Sequence, residues 1–235
     1  MPPRPASDPA SAPGSERAPT RPAPVIGVTG APAAGKSTVT AAPAGAGCTV
    51  IDLDRLGHEA LGTAEVRAAV EAEFGAGVVG PDGGLDREAL ARVAFADEER
   101  LARLEALVHP VVRQRMAAEI ERARAAGARA VVIDAALLFE GGLDARCDTT
   151  VAVHAAPAVR DERARAHRGW QPGEVARRES RQLPADVKRD RADRILVNEA
   201  GPDDLRRAAL ALLDELAPTA PLPTTPDDSP DDAGR

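Results

Sequence analysis

The chain has 235 residues, 43% of them hydrophobic and 2% aromatic, with a formal net charge of −7. That length supports one full domain with a sizeable core, and no apolar run reaches the roughly eighteen residues that a membrane-spanning helix needs. The acidic balance excludes a general nucleic-acid binder, which requires a basic face to displace counterions. Cys48 and Cys147 are too few and too far apart for a disulfide framework or a zinc site, and fit the reduced thiols of a cytoplasmic protein.

Residues 1–24 hold eight of the 21 prolines and lack the apolar core of a secretory signal, so they read as a disordered tail. An apolar run, Val25–Thr29, then predicts a buried strand, followed by Gly30-Ala31-Pro32-Ala33-Ala34-Gly35-Lys36-Ser37-Thr38. From Gly30 the spacing satisfies G-x-x-x-x-G-K-[ST], a loop that cradles phosphates between a strand and a helix. The helix starting near Lys36 aims its free N–H groups and positive dipole end at the loop. Lys36 supplies a point charge to the β- and γ-oxygens, and the Ser37 hydroxyl is placed for Mg²⁺. Lys36 is expected to face solvent until a nucleotide arrives, and Pro43 to kink or shorten the helix. The absence of an Asn-Lys-x-Asp guanine reader favours ATP over GTP.

A second strand, Thr49–Leu53, carries Asp52 and Asp54 at i and i+2, which puts both carboxylates on one side, toward the crevice where α/β folds bind ligands. Residues 89–121 place Leu90, Val93, Leu101, Leu104, Leu107 and Val108 at helical spacing, broken by Pro110. A third strand, Ala130–Ala135, contains Val131-Val132-Ile133-Asp134, an apolar run closing on a carboxylate suited to hold Mg²⁺. Thr149–Val153 and the shorter Ile195–Val197 complete the set. Strands alternating with helices predict an α/β fold, a parallel sheet covered on both faces. The ordered domain is expected over 25–216, and residues 217–235, with the Asp227-Asp228 and Asp231-Asp232 pairs, as an acidic disordered tail.

Taken in order, these pieces resemble the dephospho-coenzyme A kinase family of P-loop kinases, of the nucleoside-monophosphate-kinase type. The resemblance rests on the phosphate loop, then Ile51-Asp52-Leu53-Asp54 with His58. Leu107-Val108-His109-Pro110 and Asp134-Ala135-Ala136-Leu137-Leu138-Phe139-Glu140 follow, and then Arg178-x-x-x-Gln182, Lys188, Ala192-Asp193 and Asn198. It implies transfer of the ATP γ-phosphoryl group to the ribose 3′-hydroxyl of dephospho-coenzyme A, with ATP and Mg²⁺ as cofactors and no nucleic-acid or membrane partner in a monomeric protein. Asp54 would take the hydroxyl proton. Residues 30–38 and Asn198 would bind the nucleotide, and Asp54, His58, His109, Leu137 and Glu140 the acceptor. Ser37 and Asp134 would hold the metal.

The same resemblance implies a helical substrate region over about 56–120 and a mobile lid over about 160–192. Composition supports the lid independently, since Arg160–Arg194 holds ten arginines and Lys188 against seven acidic residues. Such an excess suits a segment that closes over a triphosphate. Departures from the family pattern are Ala31, Pro32 and Ala33 in place of two glycines and an aliphatic residue, Ala136 in place of proline, and His167 at the usual lid arginine. Arg168, beside it, is the candidate for that role with Lys36 and Asp54. Ala33 carries a penalty if its position needs φ > 0. The residues by themselves also admit another small-metabolite kinase, for a nucleoside or a sugar acid, or a non-catalytic ATP-binding switch.

Overall fold

The computed structural model describes residues 22–219; the readings for residues 1–21 and 220–235 lie outside them. Five strands, β1 (Val25–Gly30), β2 (Thr49–Asp52), β3 (Val131–Asp134), β4 (Thr149–His154) and β5 (Arg194–Val197), form one parallel sheet in the order β2-β3-β1-β4-β5. Every pairing is parallel, and the register sets Val28 and Asp52 opposite Asp134 on either side of β3. The chain leaves the C-terminal ends of adjacent strands β1 and β3 toward opposite ends of the sheet. This is the geometry at which open α/β sheets bind ligands.

Alternation along the strands feeds two cores. Val25, Ile51, Val131 and Ile133 face α2 (Leu53–Leu61) and α5 (Glu98–Ala125), while Ile26, Val28, Val132 and Val153 face α1 (Lys36–Ala41) and α9 (Pro202–Leu216). A smaller third core lies among the helices, where Val66 and Val70 of α3 (Ala64–Phe74) meet Leu90 and Ala94 of α4 (Arg87–Ala94). The edges of the domain are tied in by backbone. The Pro24 carbonyl accepts from Val131 N at 2.9 Å, and the Ala217 carbonyl accepts from Arg129 Nε at 2.7 Å.

Pro43 acts as expected, ending α1 at Ala41 and opening a 3₁₀ turn over Ala42–Ala46. Pro110 does not. The helical face of 89–121 is interrupted at residues 95–97, where Asp97 caps α5 by accepting from Arg100 N at 2.8 Å, and α5 runs through Pro110 to Ala125. An interior proline costs about 3 kcal/mol, but burying Val112, Met116 and Ile120 beyond it is worth about 1.5–3 kcal/mol each. Packing wins over propensity. Strand β2 likewise stops at Asp52 and not at Leu53, because Asp52 caps α2.

Three short helices, α6 (Pro157–Arg168), α7 (Glu174–Glu179) and α8 (Ala185–Arg191), form an arm between β4 and β5. Their buried side chains are Arg160, Ala164, Val175 and Lys188, so half of what anchors the arm is charged.

Candidate active site

The phosphate loop is built by close approaches. At Gly30, the end of the fully buried β1, a Cβ would lie 2.8 Å from the Val153 carbonyl oxygen. The chain then turns tightly, with Ala34 N donating to Ala31 O at 3.1 Å, which puts Pro32 and Ala33 at the two central positions. Proline suits the first, and the second takes φ 60, the one positive φ at a non-glycine among the described residues. The glycine replaced by Ala33 therefore does leave a left-handed alanine, a conformation costing about 1–2 kcal/mol. Gly35, with φ 106, is irreplaceable for a second reason: a Cβ there would sit 2.3 Å from Asn198 Nδ2. Asn198 is buried beneath the loop, and its Nδ2 donates to Ala34 O at 2.8 Å. It touches the loop backbone from behind.

Lys36 does not point into solvent. Its ammonium is hydrogen-bonded to Asp134 Oδ1, and Thr40 donates to Asp134 Oδ2 at 2.9 Å. Sequence reasoning missed Thr40; the available signal was its place four residues after Lys36, on the same face of α1. Ser37 is exposed and Thr38 half-buried at the start of that helix.

Asp52 and Asp54 part company at the junction of β2 and α2. Asp52 accepts from Arg55 N at 3.1 Å and is a helix cap, so the shared strand face expected from i, i+2 spacing does not exist. Asp54, in the first turn of α2, lines a cleft of about 480 Å³ together with His58, His109, Leu137 and Glu140. These five sequence-selected residues come from three separate segments. Apolar lining from Leu53, Leu61, Phe95, Leu104 and Val108 completes the walls. The cleft floor, Ala135–Leu137, follows directly on Asp134, so the Lys36–Asp134 pair and the cleft share one loop.

The arm meets this constellation through Leu183 N, which donates to Glu140 Oε1 at 2.7 Å, and not through Arg168. Arg168 is exposed at the end of α6 with its guanidinium 5.1 Å from the Trp170 ring, whose other near neighbour is Arg178 at 4.3 Å. Among the described residues Arg168 makes no hydrogen bond or ion pair to another side chain. Arg163, one of the arginines of the cluster, donates to Asn198 O at 2.9 Å, and Arg181 stands 5.1 Å over the Phe95 ring at the cleft. Arg177 and Arg178 hold the Glu174 carboxyl at about 2, well below its ordinary range, through direct hydrogen bonds. Asp193 is lowered by hydrogen bonds from the Thr150 hydroxyl and amide, which makes it a clip between β4 and β5.

The donor set fits a hard divalent cation. Ser37 and Asp134 offer oxygen ligands on adjacent elements, one Asp134 oxygen being already oriented by Thr40. Among the described residues no cluster of three or more His, Cys, Asp or Glu side chains forms a protein-only cage. Mg²⁺ bound beside phosphates commonly uses only one or two carboxylates.

Comparison with known proteins agrees with this architecture. The dephospho-CoA kinase family model matches residues 24–204. The dephospho-CoA kinase of Symbiobacterium thermophilum is 42% identical over 183 residues, covering 77% of each chain. That of Thermus thermophilus is 42% identical over 192 residues, 82% of this chain and 91% of the relative. A crystal structure from Thermus thermophilus superposes with a TM-score of 0.72 at 40% identity, covering 83% of this chain and 99% of its own. The dephospho-CoA kinase structure from Campylobacter jejuni, at 18% identity and a TM-score of 0.56, shares the fold over 83% of this chain and 98% of its own. With the phosphate loop, the carboxylate strand and the five-stranded parallel order all in place, the chain belongs to the dephospho-CoA kinase family.

Proposed function

We propose that this protein transfers the γ-phosphoryl group of ATP to the ribose 3′-hydroxyl of dephospho-coenzyme A, giving coenzyme A and ADP, the final step of coenzyme A synthesis. The observation that carries the reading is the joint placement of Asp54, His58, His109, Leu137 and Glu140 around one cleft whose floor continues from Asp134. The acceptor occupies that cleft with its hydroxyl toward Asp54. The Asp54 carboxylate takes the hydroxyl proton as the oxygen attacks the γ-phosphorus and the bond to the ADP oxygen breaks. General-base assistance of this kind contributes about 10²–10⁴-fold.

The loop amides from residues 31–36, with none from Pro32, surround the β-phosphate, and Asn198 fixes their carbonyl side through Ala34. Lys36 exchanges its bond to Asp134 for the γ-phosphate, which frees that carboxylate. Ser37 and Asp134 would hold Mg²⁺, and the chemistry gained is neutralisation of charge on the β- and γ-oxygens. Arg168 belongs to a segment that closes over the triphosphate. The lid spans about 160–192 and the substrate region about 56–120 within a kinase domain over 25–216. The two free thiols support a cytoplasmic location. No helix among the described residues is long and apolar enough to cross a membrane, and we take the protein to work as a monomer.

The test is ADP release with dephospho-coenzyme A, adenosine and gluconate as separate acceptors. Turnover with dephospho-coenzyme A alone, with coenzyme A as product by mass, is the expected result. Turnover only with adenosine or gluconate moves the protein to another metabolite kinase, and ATP binding without turnover on any acceptor makes it a nucleotide switch.

A further inference from the structure

Lys188 is the least exposed charged side chain among the described residues, at 1%. Burial pushes its ammonium below the ordinary lysine value, and the neighbouring Glu140 carboxylate opposes that shift. A buried ammonium persists only where it is matched by polar partners, and here it has two hydrogen-bond acceptors and an ion-pair partner. Lys188 Nζ lies 2.6 Å from Ala136 O, 2.9 Å from Gln182 Oε1 and 3.0 Å from Glu140 Oε1.

These partners lie on two working parts, the arm and the acceptor cleft. Gln182 lies on the arm just beyond α7. Glu140 lines the acceptor cleft, and its Oε1 also accepts from Leu183 N of the arm at 2.7 Å. The Ala136 carbonyl is two residues beyond Asp134, and it also accepts from Thr29 Oγ1 at 3.2 Å. Thr29 immediately precedes Gly30 and the phosphate loop. The Ala136 carbonyl is thus a node shared by the strand that launches the phosphate loop, the floor of the cleft and the arm. Lys188 is the arm's contribution to it.

We infer that Lys188 is a positioning residue for phosphoryl transfer, its ammonium locking the arm and the cleft floor to the strand that bears the phosphate loop. It touches no reacting atom, since its donors are spent inside the protein. Its effect is to hold Leu137 and Glu140 in register with Lys36 and Asp134, so that acceptor and donor meet at a fixed distance. Misplacement of reacting groups by about 1 Å can cost on the order of 10²-fold in rate. This inference rests on the proposed acceptor site, and its test includes a readout that does not.

Lys188→Met keeps the length and apolar stem and removes both hydrogen bonds and the ion pair. Gln182→Ala removes one acceptor and retains the ion pair, as the milder variant. Both are assayed well below their thermal midpoints, where circular dichroism shows complete folding. For Lys188→Met we expect kcat to fall by roughly 30- to 100-fold, with KM for ATP within threefold of wild type and KM for dephospho-coenzyme A raised. Gln182→Ala should fall between the two proteins in kcat. Trypsin should cut the arm after Arg178 or Arg181 about tenfold faster in Lys188→Met, because undocking precedes cleavage. A lowered midpoint with kcat within threefold of wild type for both variants would reduce Lys188 to a structural role and overturn the inference. So would an unchanged rate of arm cleavage. If wild type itself does not use dephospho-coenzyme A, the acceptor reading fails, while the proteolysis still decides whether Lys188 docks the arm.

Discussion

The phosphate side and the arm are held by different physics. β1 is buried at all six positions, is paired on both edges and feeds a loop whose shape is fixed by backbone contacts at Gly30 and Gly35. The arm's three helices bury two cations: Arg160 donates to Glu179 at 2.8 Å and links α6 to α7 within the arm, and Lys188, 3.0 Å from Glu140, ties the arm to the cleft. Apolar packing is non-directional and hard to undo piecemeal, whereas a few polar links release a segment as a unit. On the proposed function, the phosphate side is a rigid cradle for the donor and the arm a segment held by links that can be released.

The largest test of this contrast is Lys36→Ala. The cradle should survive, because the loop is set by backbone, while turnover should be abolished with the loss of the γ-phosphate's partner. A variant retaining a tenth or more of wild-type kcat would show that the loop does not work through its lysine. Asp54→Asn comes next. It should lower kcat by about 10²–10⁴-fold with ATP binding retained, measured by steady-state kinetics beside nucleotide titration. Asp52→Asn should cost far less in rate, since Asn also caps helices well; the opposite ranking would move the base to Asp52.

On the arm, Arg160→Met should speed tryptic cleavage in 169–183 severalfold without changing urea unfolding of the sheet. A change of equal size in global unfolding would mean the arm is not a separate unit. Ala33→Gly probes the cost of the left-handed alanine in the cradle. Relief of the αL penalty, less the extra chain entropy of glycine, should raise stability by about 0.5–1 kcal/mol in urea unfolding.

A last test, of chemical reactivity in the wild-type chain, concerns Cys147, half-buried against β1, where a Cβ on Gly27 would lie 2.6 Å from its sulfur. Burial first, and then Asp144, Asp148 and Asp193, push its thiol from 9.0 up to about 12. At pH 9 half of the unfolded thiols are ionised but only about one native thiol in a thousand. Native Cys147 should therefore react with a disulfide reagent at least a hundredfold more slowly than the unfolded chain. Because the folded protein holds the proton longer, this group's contribution to stability is intact below pH 9 and is lost as pH rises toward 12. Reaction of the native thiol as fast as the unfolded one would mean that this flank of β1 opens freely.

Much of the molecule was legible from local pattern. The phosphate loop, the five apolar runs and the closing Asp134 follow from residue types at short spacing, and the penalty at Ala33 from the steric cost of a Cβ at positive φ. Pro43 likewise ended its helix where local chemistry demanded. Other features depended on neighbours distant in sequence. Pro110 was absorbed because α5 packs apolar side chains on the sheet beyond it, a gain that no window of sequence contains. Asp52 became a cap because α2 starts at Leu53, the expected last residue of the strand. Lys36 turned from solvent to Asp134 because the parallel register of β1 and β3 puts the carboxylate within its reach. Lys188 reads in sequence as one more cation in a basic segment, and only the docking of the arm on the Ala136 carbonyl buries it. Short-range sterics and periodicity are written along the chain, whereas the partners of a long side chain are chosen by which strands lie side by side.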